Sequence, residues 1–368
     1  MSDTEIKSEV KITKNCLRCG GTLSFSPKHQ AIFCSQCGTT YDIEKDKKVV
    51  KHNLNEIQDI TLENKLFAEN NRVFNCPNCG SRLVLNKYEY TKKCPYCGSD
   101  SIKKTRLNPG ISPDNIIPFK FDEKDAAEKF KAAMKKKIFA PNEFRKKPVT
   151  DNIYGLYIPT FSYDAKSQTA YQGKIRVEHV NIDSNNVRNV TYSYRNISGK
   201  IALSHSNVLV EDSPSLNQLD LNNIKPFNYQ ELYKYNDDFI RGYTVEYHEH
   251  PVANCSDIAH SIMKNEIERC IRNKEGGDIV SLTTKTIFSD EKFSYYLLPA
   301  YKVEYKYKDK KYNSYINGQT GKVGGNAPKS KIKVTFFTIF LILLVSGLVG
   351  LFYLSLIHIS EPTRLGMI

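Results

Sequence analysis

Eight cysteines stand in two copies of one spacing, Cys16, Cys19, Cys34 and Cys37, then Cys76, Cys79, Cys94 and Cys97. Each copy has 14 residues between its two Cys-x2-Cys pairs, and every cysteine recurs 60 positions later. Two residues between thiolates let one tight turn aim both sulfurs at a single ion, and two such turns complete a tetrahedral four-sulfur site. Glycine follows the second cysteine of every pair, at Gly20, Gly38, Gly80 and Gly98. The turn needs a residue there that tolerates positive φ and close approach of backbone to sulfur. The pattern predicts two bound Zn2+ ions. Iron is the competing ion, because sulfur-only tetrahedra suit both metals. A disulfide framework is the competing covalent reading, but it would not need such regular chelating turns, and no secretory leader accompanies it.

Other chemistry is poorly represented. The chain has no Gly-x-Ser-x-Gly elbow, no His-Glu-x-x-His and no kinase-type set. Gly321-Lys322 is not a phosphate loop, since Ile316 and Val323 occupy the positions where glycine and a hydroxyl residue are required. His248-Glu249-His250 places two imidazoles on one face of a strand, with Cys255 five residues on. Paired strand histidines are far commoner as surface residues than as a metal or acid/base site. Cys255 and Cys270 are too far apart for a chelating turn and read as buried thiols on a helix. Asn189-Val190-Thr191 and Asn196-Ile197-Ser198 match glycosylation acceptors, which a cytoplasmic domain never presents to the modifying enzyme. The expectation is a chain that is not an enzyme.

The elements that must hold the cysteines are short hairpins. A ribbon of some 35 residues cannot bury a core without its metal, so the ion is part of each ribbon's fold. The first ribbon is expected within 1–45, the second within 72–105, and the polar segment 46–71 between them reads as a linker. A mixed α/β domain with antiparallel strands follows over 112–328. Ile116-Ile117-Pro118-Phe119 suggests an edge strand, and Asp122 caps a helix over 123–137 whose last turns carry Lys131, Lys135, Lys136 and Lys137. These lysines complement the negative end of the helix dipole, so a solvated terminus is favoured over a nucleic-acid patch.

Strands are expected from 153–163 and over 171–179, 187–197, 201–210, 243–250, 279–288 and 295–307, with helices over 216–235 and 256–273. Leu298-Pro299-Ala300-Tyr301-Lys302-Val303 echoes Ile158-Pro159-Thr160-Phe161-Ser162-Tyr163, which suggests an internal duplication. The fold class expected is α+β: two small four-cysteine zinc ribbons, the mixed domain and a C-terminal transmembrane helix.

That helix is read from 334–353, 20 uncharged and largely apolar residues. At about 1.5 Å per residue they span about 30 Å, the thickness of a bilayer core. Lys329, Lys331 and Lys333 precede it, and the positive-inside rule puts that flank, with the N-terminal region, in the cytoplasm. Reduced thiolates demand the same side. Leu354-Ser355-Leu356-Ile357-His358-Ile359-Ser360-Glu361-Pro362-Thr363-Arg364 matches the in-frame translation of a transposase-type sequencing adaptor. Residues 354–368 are therefore expected to be foreign and the native C-terminus to be missing, so His358 receives no role.

Taken together, the paired Cys-x2-Cys-Gly ribbons, Ile116-Ile117-Pro118-Phe119, Gly155-Leu156-Tyr157-Ile158-Pro159-Thr160-Phe161-Ser162-Tyr163-Asp164-Ala165, Leu298-Pro299-Ala300-Tyr301 and Asn317-Gly318-Gln319-Thr320-Gly321-Lys322 before a membrane helix carry a likeness. The chain resembles the bacterial membrane proteins described as transcription-factor-IIB-type zinc-ribbon-containing, over 16–353. The resemblance implies a cytoplasmic double ribbon, a mixed α/β domain and a C-terminal anchor, and it implies no defined activity. Two functions are expected to compete: an adaptor that docks an unidentified protein at the membrane's cytoplasmic face, and a nucleic-acid-binding module. The net charge of +13 admits both. The second would use Arg18, Lys28, Arg82, Lys87, Lys92 and Lys93 on phosphates, with 23 tyrosines and 18 phenylalanines scattered along the chain for stacking. A membrane-associated enzyme is a third, more distant reading, with only the histidine pair in its favour.

Overall fold

The computed structural model describes residues 15–56, 67–69, 71–86, 94, 99, 102–105, 111–146, 153–182, 188–213, 216–248, 252–308, 310–325 and 327–360. The fold is α+β. Three short strands, Leu23–Ser26 (β1), Ala31–Cys34 (β2) and Thr40–Tyr41 (β3), make an antiparallel sheet of their own. The remaining strands join one large sheet: His52–Asn53 (β4), Asn71–Asn75 (β5), Arg82–Asn86 (β6), Lys103–Lys104 (β7), Asn115–Ile116 (β8), Ile153–Ile182 (β9), Arg188–Glu211 (β10), Tyr233–Lys234 (β11), Thr244–Glu246 (β12), Asp278–Tyr307 (β13), Lys310–Asn317 (β14) and Val323–Gly325 (β15). The longer helices are Glu123–Lys135 (α1), Asn142–Lys146 (α2), Gln218–Ile224 (α3), Val252–Glu275 (α4) and Lys331–Ser360 (α5).

The frame is the antiparallel trio β10-β9-β13, and β9 and β13 each run for 30 residues. Around 156–163 the sheet is covered on both faces. Tyr157, Phe161 and Tyr163 point into one hydrophobic layer, while Leu156 and Ile158 point into the other with Leu221 and Ile224 of α3. Further along, burial alternates residue by residue from Ala165 to Gln172, because only α4 lies over that stretch, with Ile267 and Ile271 against Tyr171. Beyond Arg176, which pairs with Asp278 at the start of β13, β9 and β10 continue as a two-stranded arm.

The echoing segments meet each other: Ile158 pairs with Leu298 and Pro159 with Leu297, antiparallel about one point. β8 is no edge strand, being hydrogen-bonded to β13 on one side and β11 on the other. The helix expected over 216–235 stops at Ile224, because Lys225 turns extended ahead of Pro226, whose ring cannot continue an α-helix. Asp122 caps α1 as the sequence suggests, its carboxylate accepting the N–H groups of Lys124 and Asp125 at 2.9 and 3.0 Å.

Both ribbons are built onto this frame. The Phe25 N–H donates to the Arg241 carbonyl at 2.9 Å, and the Phe25 ring meets Phe239 edge-on with centroids 5.7 Å apart. Gln30 reaches across to the Phe119 carbonyl at 2.7 Å. In the second ribbon, Val84 and Leu83 of β6 pair with Val245 and Glu246 of β12, so its hairpin extends the large sheet. The segment read as a linker is tied down over 46–56: β4 pairs with Lys292 and Phe293 of β13, and Val50 exchanges hydrogen bonds with the Asn115 side chain at 2.9 and 3.1 Å.

Candidate metal centre

Each described cysteine pair sits in a tight turn whose backbone is closed by its own hydrogen bonds. The Gly20 N–H donates to the Cys16 carbonyl at 2.8 Å, Gly38 to Cys34 at 2.9 Å and Gly80 to Cys76 at 2.8 Å. The N–H groups of Cys16, Cys34, Cys76 and Cys94 each donate to the carbonyl five residues on, at 2.7 to 2.9 Å. This winding puts Gly20, Gly38 and Gly80 at φ of +73°, +75° and +74°, which is why glycine follows the second cysteine.

The turns face one another in pairs. Cys16 and Cys37 bring their Sγ atoms to 3.5 Å, Cys19 and Cys34 likewise to 3.5 Å, and all four sulfurs lie within 4.8 Å of one another. In the second ribbon Cys76, Cys79 and Cys94 gather within the same limit, with Cys79 and Cys94 at 3.6 Å. Cys97 lies outside the described residues.

A tetrahedron with zinc–sulfur bonds of about 2.3 Å has sulfurs about 3.8 Å apart, close to these separations. A disulfide needs about 2.05 Å, and the described cysteines are free. The donor set thus fits a four-sulfur ion in the first ribbon, and three sulfurs of such a site are assembled in the second. Zinc and iron suit these ligands equally.

Electrostatics support the same conclusion for the first cluster. The Tyr41 hydroxyl, 3.4 Å from the Cys16 sulfur, stabilises its thiolate and lowers the thiol to about 6. Cys19 moves the other way: the Gly21 backbone lowers it, but the neighbouring thiols of Cys37 and Cys34 outweigh that and raise it to about 12. Thiols in contact cannot all ionise unless a cation compensates them, and a bound metal supplies that charge while releasing protons.

Residues that the spacing rule did not single out complete the site. Thr39 places its hydroxyl 3.1 Å from the Cys37 sulfur, and Ser81 lies 3.2 Å from Cys79 and 3.3 Å from Cys94. A signal was present, for three of the four turns read Cys-Gly-Ser or Cys-Gly-Thr, at Thr39, Ser81 and Ser99. The fourth has Gly21, where a Cβ would stand 2.6 Å from the Gln36 side chain and 3.1 Å from the Cys34 sulfur.

Of the basic residues, Arg18, Lys28 and Arg82 are exposed, and Arg82 lies over the Tyr247 ring at 5.9 Å. Lys87, Lys92 and Lys93 lie outside the described residues. His248 is half-buried, and its Nε2 accepts the Ile111 N–H at 3.1 Å, which leaves Nδ1 to carry the proton toward Asp212 at 3.8 Å. That lone pair is thereby engaged in holding the loop before β8. Glu249 and His250 lie outside the described residues.

One further arrangement has the outline of a catalytic chain. Ser167 Oγ lies 2.9 Å from His205 Nε2, and His205 Nδ1 lies 2.9 Å from Glu266. Ser167 and His205 are only 2% and 4% exposed under α4, so no substrate reaches the hydroxyl. The chain ties α4 to β9 and β10.

The C-terminal helix α5 is long and apolar enough to cross a membrane over Lys331–Phe352, and none of that window is buried against the rest of the chain.

No family model matches the chain, and no solved structure matches it. The chain is similar to the protein described as "Uncharacterized protein YdjG" of Bacillus subtilis (strain 168), with 25% identity over 351 residues, covering 95% of this chain and 97% of the relative.

Proposed function

We propose that the chain is a membrane-anchored, non-enzymatic zinc protein of the transcription-factor-IIB-type ribbon kind, whose ribbons and α/β domain face the cytoplasm and dock another protein. The observation that carries this reading is the four-sulfur cluster of Cys16, Cys19, Cys34 and Cys37, closed by Tyr41 and Thr39. Anchoring is supported by α5, and the cytoplasmic side by Lys329, Lys331 and Lys333 before the span together with the reduced thiols. A docking role is supported by the turn tip, where Leu17 is 63% exposed beside Arg18 while the opposite side of the ribbon packs on the domain. The non-enzymatic reading is supported by the burial of Ser167.

A photo-crosslinking residue at Leu17, in the full chain in its own membranes, tests the docking. A discrete protein adduct that disappears on chelation of the metal is expected. An unchanged pattern after chelation, or no adduct, refutes the adaptor.

A second reading, nucleic-acid binding, is favoured by one surface. Tyr192 and Tyr194 are 51% and 62% exposed, on the sheet face opposite α4 that also carries Lys174 and Arg176. Filter binding of single-stranded oligonucleotides at two salt concentrations separates the readings. Retention that falls steeply with salt would replace the adaptor with this function.

A further inference from the structure

We propose that the lysine-rich end of α1 and the Ile138-Phe139 corner after it form a seat for anionic lipid headgroups at the foot of α5. This rests on the reading of α5 as a membrane span. Dipole complementation accounts for basic residues at a helix end, but not for where this end lies.

The corner is fastened to the first turns of α5. The Ser330 N–H donates to the Phe139 carbonyl at 2.8 Å, and Lys333 Nζ donates to the Ala140 carbonyl at 2.8 Å and to Asn142 Oδ1 at 2.7 Å. The Phe139 ring meets Phe337 edge-on with centroids 5.2 Å apart. Phe337 lies six residues beyond Lys331, about 9 Å further along the helix axis, so Phe139 is held at the depth where headgroups give way to acyl chains. Ile138 beside it is 60% exposed. An aromatic and an aliphatic side chain at that level are typical of a segment lying in the membrane interface.

The charge comes immediately before this corner in the chain. Lys135, Lys136 and Lys137 are all exposed. Arg145 of α2 holds the end of α1 in place, donating twice to the Lys135 carbonyl at 3.0 and 2.7 Å. Lys333, one of the basic residues flanking the span, is turned inward onto Ala140 and Asn142. The three lysines of the α1 end therefore supply cations toward the lipid phosphates where Lys333 does not. Glu143 is the exposed acidic residue on the adjoining helix, and it leaves the patch strongly positive. Clusters of basic side chains next to a span attract anionic lipid, with an attraction that salt screens.

The test uses the full chain in phosphatidylcholine vesicles containing phosphatidylglycerol, with spin-labelled forms of both lipids reporting what is held at the protein surface. Phosphatidylglycerol is expected to be preferred roughly three-fold at low salt. The preference should fall by at least half in a K135Q/K136Q/K137Q variant, with the exposed Lys329 and Lys331 keeping the remainder, and persist in K135R/K136R/K137R. It should be unaffected by K200Q/K285Q, which removes exposed charge from the large sheet instead. Equal preference in the wild type and the triple glutamine variant overturns the seat. Alkaline extraction of the same vesicles separates the two failures: a chain that is retained yet indifferent to headgroup charge refutes the seat alone, and a chain that is released refutes the span and the seat together.

Discussion

At the scale of single residues, hydroxyls as well as sulfurs line the candidate metal centre. Thr39 and Ser81 lie within 3.1 to 3.3 Å of cluster sulfurs, and such outer partners typically contribute ten- to a hundred-fold in metal affinity. Thr39→Val and Ser81→Ala should each weaken binding about ten-fold in a chelator competition, without loss of the fold. The clustering of the cysteines was legible because Cys-x2-Cys is a local pattern. Tyr41 was not, since its contact with Cys16 closes across 25 residues of chain. Cys255 shows the opposite chemistry. Burial first, then Asp212 and Glu211, push its thiol up to about 12, and it is 1% exposed. A raised pKa leaves only about one thiol in ten thousand ionised at pH 8, and the thiolate is the reactive form. Peptide mapping after brief N-ethylmaleimide treatment of native protein at pH 8 should find Cys255 unmodified, and it should become labelled only once the domain unfolds. Rapid labelling in the folded state would contradict the packing of α4 on the sheet.

At the scale of elements, the long strands hide from sequence reading for a physical reason. Along β9 the cover changes from both faces at 156–163, to one face from Ala165 to Gln172, to almost none past Arg176. The apolar pattern therefore changes from a continuous run to alternation to a polar stretch, and a pattern-based reading divides one strand into several. Helix α3 was overextended for a related reason: apolar spacing continues past Ile224, but Pro226 ends the helix. Two close approaches hold these elements together. At Gly155 a Cβ would stand 2.6 Å from the Tyr243 ring, which stacks on Phe119 at 4.2 Å. Gly155→Ala should therefore cost roughly 1–3 kcal/mol, read as a lower thermal midpoint, through overpacking of a buried aromatic cluster. Asn317 is fully buried, donating to the Ile224 and Pro226 carbonyls at 3.0 Å and accepting from the Gln319 and Thr320 N–H groups at 2.9 Å. Asn317→Ala removes all four bonds and leaves the buried Ile224 carbonyl unpaired, so a loss of about 1–3 kcal/mol in denaturant unfolding is expected. A loss below about 0.5 kcal/mol would mean that solvent reaches this turn.

At the scale of the whole molecule, the apolar helix α5 and the α/β domain share a joint, and truncation can show whether it matters to both. The apolar helix was the plainest feature of the sequence after the cysteines, because 20 uncharged residues need no tertiary information to interpret. Its joint to α1 and α2 was not legible, since it brings Lys333 to Ala140 across 193 residues of chain. A chain ended after Lys333 loses the apolar helix but keeps the ammonium that donates to Ala140 and Asn142 at 2.8 and 2.7 Å, together with the Ser330 N–H on the Phe139 carbonyl at 2.8 Å. A chain ended at Ala327 loses all of these. Both should leave the membrane pellet for the soluble fraction, because nothing else among the described residues is long and apolar enough to anchor the chain. The shorter one should also unfold more easily, by about 1–2 kcal/mol, since four hydrogen bonds at or near the surface are removed, three of them from the Lys333 ammonium to Ile138, Ala140 and Asn142. Solubility of both with equal thermal midpoints would show α5 to be an appendage with no part in the domain's stability. Continued sedimentation of either with membranes after alkaline extraction would place the anchor elsewhere in the chain.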